Sequence, residues 1–414
     1  MTYDKKLIIG LFGFGVVGEG IYRVLKQTPT LQAEIKRICI KHPDKKRNAP
    51  AELFTTDADL LLNDTEINVV VELIDDADAA WHIVSTSLGS GKAVVSANKK
   101  MIAAHLAELL QLQVDNKTSF LYEAAVCGSI PVIRNLEEYY DNDMLNSVTG
   151  IINGSTNYIL TRMNEDGMAY NDALKLAQEL GFAESDPSLD VQGTDAANKL
   201  TIILNHAYGI ISSPGDIMCK GIAQLHPADT VYAKEKGYSI KLVARANRVN
   251  HTDVAAYVMP TFVGPRSQLF NVRFEFNGVI IGTRLADEQF IYGKGAGRYP
   301  TSSAVLSDIA ALRYGYKYEY KKAHTGVDYQ ISTDHILRIY VSCENMADID
   351  RRDFIAIDET YISQNRKYIT GTISFDKLRK AAWLNNPDNS VIVFADAGQA
   401  VDHQLEELEE DFKK

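Results

Sequence analysis

The stretch LIIGLFGFGVVGEGIYRVLKQ, Leu7 to Gln27, decides the fold. Six apolar, β-prone residues lead into glycines at 13, 15 and 18, in G-x-G-x-x-G spacing, and then into a helical pattern. Such spacing alone says little; directly after a strand and opening a helix, it reads as a turn built for a dinucleotide. Gly13 permits the tight turn, Gly15 lets backbone approach a pyrophosphate, and Gly18 permits close helix–strand packing. Phe14, Val16 and Val17 complete a loop whose helix N-terminus faces the negative charge. A glycine-rich turn that binds nothing is the plainer alternative.

Outward from this turn, strands and helices alternate to about Glu123. RICI, INVVVELI, AVVSA and SFLYE are short β-rich runs, separated by helical patterns such as DAAWHIVSTSLGS and KKMIAAHLAELLQLQ. That alternation predicts an α/β chain whose residues 1–128 form a Rossmann-type, doubly wound parallel sheet. At the end of the second strand an Asp or Glu would hold the ribose hydroxyls of NAD. ICIKHPDKKR supplies Lys41 there instead, with Lys45, Lys46 and Arg47 behind it. Cations at that place suit the 2′-phosphate of NADP; a solvated basic loop is the alternative, and NAD stays open. AVVSANKKM sets Ser96, Asn98 and Lys99 just past the carboxyl end of a strand, the edge where ligands bind in such sheets. For Lys99 alone, a surface lysine is the default.

After Gly128 the pattern becomes α+β. SIPVIRNLEEYY, STNYILTRMNEDG and NDALKLAQELG read as helices, the last closed by Gly181. SIKLVARANRVN, DVAAYVMPTFV and VRFEFNGVIIGTRL read as antiparallel strands, and a glycine-rich turn enters a helix near Arg298, capped by Thr301 or Ser302. This makes residues 129–320 a second, α+β domain. From about Lys321 three strands, a helix and a final strand form a third, small unit over 321–414.

At 414 residues, two or three domains are expected at roughly 150 residues each. A net charge of -11 gives no basic field for nucleic acid or anionic membrane. Part of that charge sits in the closing EELEEDFKK, read as a solvated tail. The four cysteines are scattered, without zinc or disulfide spacing, which fits a reducing cytoplasm. No apolar run approaches ~18 residues, so membrane spanning is not supported.

ESDPSLDVQGTDAANK, Glu184 to Lys199, brings four acids before one lysine at the mouth of the apolar run LTIILNHAYGI. Asp195 and Lys199 are four apart and share a helix face. A surface ion pair is the usual meaning. Here Ala196, Ala197, Leu200, Ile202, Ile203 and Leu204 cover most of the circumference, so the pair sits at an enclosed end where unpaired charge is costly. A nicotinamide enzyme acting on an amino-acid carbonyl needs a proton for the alkoxide and carboxylates for the ammonium. Lys199 meets the first need and the acids meet the second. Neighbouring carboxylates would raise the lysine's pKa and burial would lower it.

With these segments assembled, the chain resembles homoserine dehydrogenase from about Leu7 to Leu312. The resemblance rests on GFGVVG, VVVELI, VVSANK, EAAVCGSIPVI, GIINGSTNYIL, the Glu184–Lys199 stretch, GYSIKLVARA and GKGAGRYPTSSAV. It implies NAD(P)-dependent interconversion of L-homoserine and L-aspartate 4-semialdehyde, on the route to threonine, methionine and isoleucine, by a cytoplasmic homodimer or tetramer. It makes Lys199 the proton donor and acceptor and sets Lys99 beside nicotinamide and the reacting oxygen. Glu184, Asp190 and Asp195 become the substrate-binding acids, and Gly181 and Gly297 approach the cofactor. It also implies a monovalent cation, usually sodium, held by Glu123, Val126, Gly128 and Ile130, mostly through backbone carbonyls; the residues themselves suggest only a loop leading into a helix.

Two departures stand out. The family usually follows VELI with a glycine pair, whereas Asp75 and Asp76 stand here, bearing on cofactor affinity and the NADP preference. Longer bacterial members append a ferredoxin-like ACT module that senses threonine. This tail has only CENMADIDRRD where that module needs its first helix, so a degenerate, threonine-insensitive module serving assembly is expected. The alternatives are another NADP-dependent reductase of a small amino aldehyde, and a nucleotide-sensing protein without turnover.

Overall fold

The structure is a computed structural model that describes residues 6–142, 144–364 and 366–395. The acidic EELEEDFKK tail lies outside the described residues. The chain divides into two compact units: Met1–Asp143, Thr201–Pro214 and Gly293–Gly326 form the first, and Met144–Leu200, Gly215–Tyr292 and Val327–Lys414 the second.

The first unit is built on six strands: β1 (Leu7–Phe12), β2 (Ala33–Cys39), β3 (Phe54–Thr55), β4 (Val69–Glu72), β5 (Ala93–Ser96) and β6 (Phe120–Leu121). All pair in parallel, in the order β3-β2-β1-β4-β5-β6. This is the doubly wound order expected from the alternation, and its direction reverses between β1 and β4, where such sheets bind ligands. Ile9, Val70, Val94 and Phe120 are wholly buried, which is why these strands read as continuous apolar runs rather than alternating ones. Helix Val16–Gln27 follows β1 and packs on helix Arg298–Leu312, with Ser302 Oγ donating to the Val17 carbonyl at 3.3 Å.

Here the expected cap moves. The second of these helices starts at Arg298 behind Gly297, not at Thr301 or Ser302. Pro300 falls in its first turn, where a missing N–H costs nothing, so the proline starts the helix instead of delaying it.

The second unit carries an eleven-stranded sheet. Its strands are β7 (Leu145–Ile151), β8 (Met218–Cys219), β9 (Ser239–Arg248), β10 (Asp253–Val263), β11 (Phe276–Thr283), β12 (Asp287–Lys294), β13 (Gln330–Ile331), β14 (Ile336–Cys343), β15 (Phe354–Ile362), β16 (Lys367–Ser374) and β17 (Ser390–Phe394). The order is β12-β11-β7-β9-β10-β17-β14-β16-β15, with β8 and β13 also on β10. The exposed edge strand β12 gives little apolar signal and was not anticipated. β17 pairs in parallel with β10, so the last four strands continue the same sheet. Their own order, β17-β14-β16-β15, is antiparallel throughout. Between β14 and β15 lie two 3-10 turns, Met346–Asp348 and Arg351–Asp353, and after β16 a helix, Phe375–Lys380. Asp229, wholly buried on helix Pro227–Glu235, accepts from Tyr340 and Ser342 and pairs with Arg366 at 3.1 Å. No helix among the described residues is long and apolar enough to cross a membrane.

Candidate active site

In the second unit, β7 runs through Ile152 and Asn153 into helix Gly154–Asp166. Asn153 caps that helix, its Oδ1 accepting from the Thr156 N–H at 2.8 Å. The opposite end of the same amide faces the acids: Nδ2 donates to Asp190 Oδ1 at 2.7 Å and to Asp195 Oδ2 at 2.8 Å. Asp195 lies in the first turn of helix Thr194–Tyr208, where the helix dipole favours an anion. One turn on, Lys199 Nζ sits 2.7 Å from Asp195 Oδ2 and donates to the Ile152 carbonyl at 2.7 Å. Asp195 and Lys199 are only 5% and 8% exposed. Among the described residues a buried ammonium is thus held by one carboxylate and one carbonyl.

The other acids are placed differently. Asp190 is half-buried on the short helix Ser188–Val191 and joins the cluster through Asn153. Glu184 is exposed; its carbonyl accepts from Gln178, and among the described residues no hydrogen bond joins its carboxylate to the cluster. Asp186 closes a local turn onto Ser188, whose hydroxyl and N–H hold its carboxyl below the usual range. Gly181 is exposed in the left-handed region at φ 77°, behind helix Tyr170–Glu179.

In the first unit the glycine turn meets the demands read from its spacing. A Cβ on Gly18 would lie 2.3 Å from the Gly13 carbonyl oxygen, whereas one on Gly15 would meet nothing within 4 Å. Gly15 caps helix Val16–Gln27 without any side-chain bond to its first N–H groups. An open approach and a helix N-terminus without a side-chain cap fit a pyrophosphate. Phe14 packs edge-on to Phe54 and Tyr22, and Val16 is exposed. Past β2, Lys41 and Lys45 are exposed, and a cavity of about 510 Å3 opens beside Lys45, Arg47 and Phe54. The Arg47 guanidinium lies 5.6 Å over the Phe54 ring and donates to the His42 and Lys45 carbonyls. These cations fit a second phosphate at the ribose.

At the carboxyl edge of β5, Ser96 is buried and its hydroxyl donates to Glu72 at 2.5 Å. Asn98 caps helix Lys99–Ala104, which places the half-buried Lys99 first in that helix. Asp76 Oδ1 accepts from the Ala79 N–H at 3.0 Å and caps helix Ala77–Gly89, a structural use for one of the two unexpected aspartates. Gly297 stands at φ 115° ahead of Arg298.

The segment Glu123–Ile130 holds the short helix Ala124–Cys127 and turns on Gly128, at φ 53°, where a Cβ would lie 2.5 Å from the Gly295 carbonyl oxygen. The Glu123 carboxylate is taken by the N–H groups of Ile133 and Arg134, at 3.0 and 2.8 Å. Backbone carbonyls are therefore what this segment can offer a cation. Ile130's accepts from Val132, while those of Val126 and Gly128 receive no backbone N–H among the described residues. Burial, with Asp308 nearby, pushes Glu123 up to about 8; burial pushes Asp308 up to about 6 against its 2.7 Å pairing with Arg134. Carbonyl oxygens that receive no backbone N–H among the described residues fit a hard cation.

Two residues escaped the sequence reading. Asn153 had a signal, since N-G-S-T after a strand marks a helix cap; its second contact spans about forty residues of chain and had none. Glu72 is the sole acid of an otherwise apolar strand, an oddity that could have flagged it.

Residues 13–123 match the family model described as the NAD binding domain of homoserine dehydrogenase, and residues 131–310 the model described as homoserine dehydrogenase. A Helicobacter pylori homoserine dehydrogenase is 38% identical over 317 residues, covering 74% of each chain. One from Synechocystis is 37% identical over 311 residues, 73% of this chain and 72% of its own. The crystal structure of a homoserine dehydrogenase from Thiobacillus denitrificans superposes with a TM-score of 0.83 at 31% identity, covering 95% of this chain and 99% of that one.

Proposed function

The chain belongs to the homoserine dehydrogenase family, and on that premise we propose how its own residues carry the reaction. The reaction is the NAD(P)-dependent interconversion of L-homoserine and L-aspartate 4-semialdehyde. When bound, the nicotinamide exchanges a hydride with substrate C4. Lys199 exchanges the proton with the oxygen on that carbon: as an ammonium it protonates the developing alkoxide, and as an amine it accepts the hydroxyl proton in the oxidation. The observation that carries this reading is the buried Nζ of Lys199, fixed by Asp195 and Ile152. Asp190, whose Oδ1 accepts from Asn153, receives the substrate ammonium together with Glu184. Lys99 steadies the reacting oxygen beside nicotinamide.

The cofactor reading is NADP, supported by Lys41, Lys45 and Arg47, with the glycine loop and Gly181 and Gly297 as further contacts. Glu123, Val126, Gly128 and Ile130, mostly through backbone carbonyls, would hold a sodium ion that orders this segment. The three segments 1–128, 129–320 and 321–414 serve cofactor, catalysis with dimerisation, and a degenerate ACT-like module that supports assembly in the cytoplasm. The two family models, meeting between residues 123 and 131, support the first boundary.

Absorbance at the nicotinamide band, followed with L-homoserine and each cofactor, with and without sodium and millimolar threonine, tests these assignments. The expected result is faster turnover with NADP, stimulation by sodium and no inhibition by threonine. Lys199→Ala should still bind cofactor but lose turnover; activity near the parent level would defeat the proton-transfer assignment.

A further inference from the structure

We propose that Glu72 is a positioning residue for Lys99, acting through a closed hydrogen-bond circuit that clasps the carboxyl ends of β4 and β5. The proposal rests on the role given to Lys99 above. Glu72 closes β4 and is fully buried. Its Oε2 accepts from Ser96 Oγ at 2.5 Å and its Oε1 from the Ile74 N–H at 2.7 Å. Ser96 Oγ in turn accepts from the Asn98 N–H at 3.1 Å, and Asn98 Nδ2 donates to the Ile74 carbonyl at 3.1 Å. The circuit Glu72–Ser96–Asn98–Ile74–Glu72 is thereby complete. Asn98 Oδ1 then caps the helix whose first residue is Lys99. Both arms of the carboxylate thus bear on the residue immediately before the lysine.

A carboxylate differs here from any neutral substitute. It accepts from Ser96 and Ile74 at once and needs to donate to nothing. Once protonated it carries an O–H of its own, and Ser96, already accepting from Asn98, must turn to receive it. Burial, with Asp75 adding to it, pushes Glu72 up to about 7, so this change falls in the working range. Asp75, on the loop after β4, is a charged group bearing on Glu72; Ser96 and Asn98, from the turn after β5, are neutral. A purely structural clasp would lower stability and cofactor binding when removed, without a signature in the pH profile of kcat.

The test compares parent, Glu72→Gln, Ser96→Ala and Lys99→Met by kcat and KM for homoserine across the neutral range, with NADP affinity titrated separately. Glu72→Gln should lower kcat about 10- to 100-fold, the cost of a misplaced group of this kind. NADP affinity should stay within about threefold, and the acid limb of the parent's kcat profile near neutrality should disappear. Ser96→Ala should show the same fall in kcat, and it decides the matter if Glu72→Gln fails to fold. Parent-like kcat with an unchanged acid limb in the folded variants overturns the proposal. Should Lys99→Met also keep its kcat, the reading of Lys99 fails; should Lys99→Met alone lose it, only the role of Glu72 fails.

Discussion

Asn153 offers a way to separate a structural from a functional role, because the two ends of its amide do different work. Asn153→Ala removes a helix cap, worth about 1 kcal/mol. It also removes two hydrogen bonds to carboxylates, each worth about 1.5–3 kcal/mol when the acceptor is charged. Asp195 keeps Lys199, and water reaches the half-buried Asp190, so the net loss should be nearer 3 kcal/mol than the full sum. Asn153→Asp is the sharper change. Aspartate caps a helix as well as asparagine does, yet it places a third carboxylate where Nδ2 now lies 2.7 and 2.8 Å from two others. Urea unfolding and steady-state oxidation of homoserine should both rank Asn153→Asp below Asn153→Ala at neutral pH. The fall in kcat/KM should be roughly 100-fold or more, as for a displaced catalytic group. Like charges raise the carboxyl pKa in the folded protein, so it binds more protons than the unfolded chain and the deficit must shrink as pH falls. If Asn153→Asp matched the parent in stability and rate, the cap would be the whole role and the bridging argument would be wrong.

Lys241 makes a second case. It is 2% exposed, donates to Asn157 and the Val272 carbonyl, and burial holds it at about 8 rather than 10.5. The unfolded chain binds more protons between those values, so stability should rise with pH from about 8 to 10.5, by up to roughly 3 kcal/mol; the difference between parent and Lys241→Met in urea should carry that slope, and a flat difference would refute it. The Arg366–Asp229 pair, 8% and 0% exposed at its side chains, should lose about 3–5 kcal/mol when either partner alone is replaced by an apolar residue. A double-mutant cycle should show the double replacement costing less than the sum; simple additivity would mean the pair is not coupled.

Much of the first unit was legible because its signals are local. Continuous apolar runs, a glycine triplet and the helices between them sit within a few residues of one another, and they suffice for a parallel sheet and its cofactor turn. The i, i+4 spacing of Asp195 and Lys199, inside an apolar helix, likewise announced a buried pair. Tertiary structure decided what no short window contains. Asn153 reaches Asp190 and Asp195 across about forty residues, Glu72 meets Ser96 across a whole strand–helix–strand unit, and β17 finds β10 from the far end of the chain. Periodicity tells which face of an element is buried, whereas hydrogen-bond partners depend on which two faces the fold brings together. That is also why Asp76, alarming as a replacement for glycine, turned out to cap a helix, and why Glu184, adjacent in sequence to the other acids, stands apart from their hydrogen-bonded cluster.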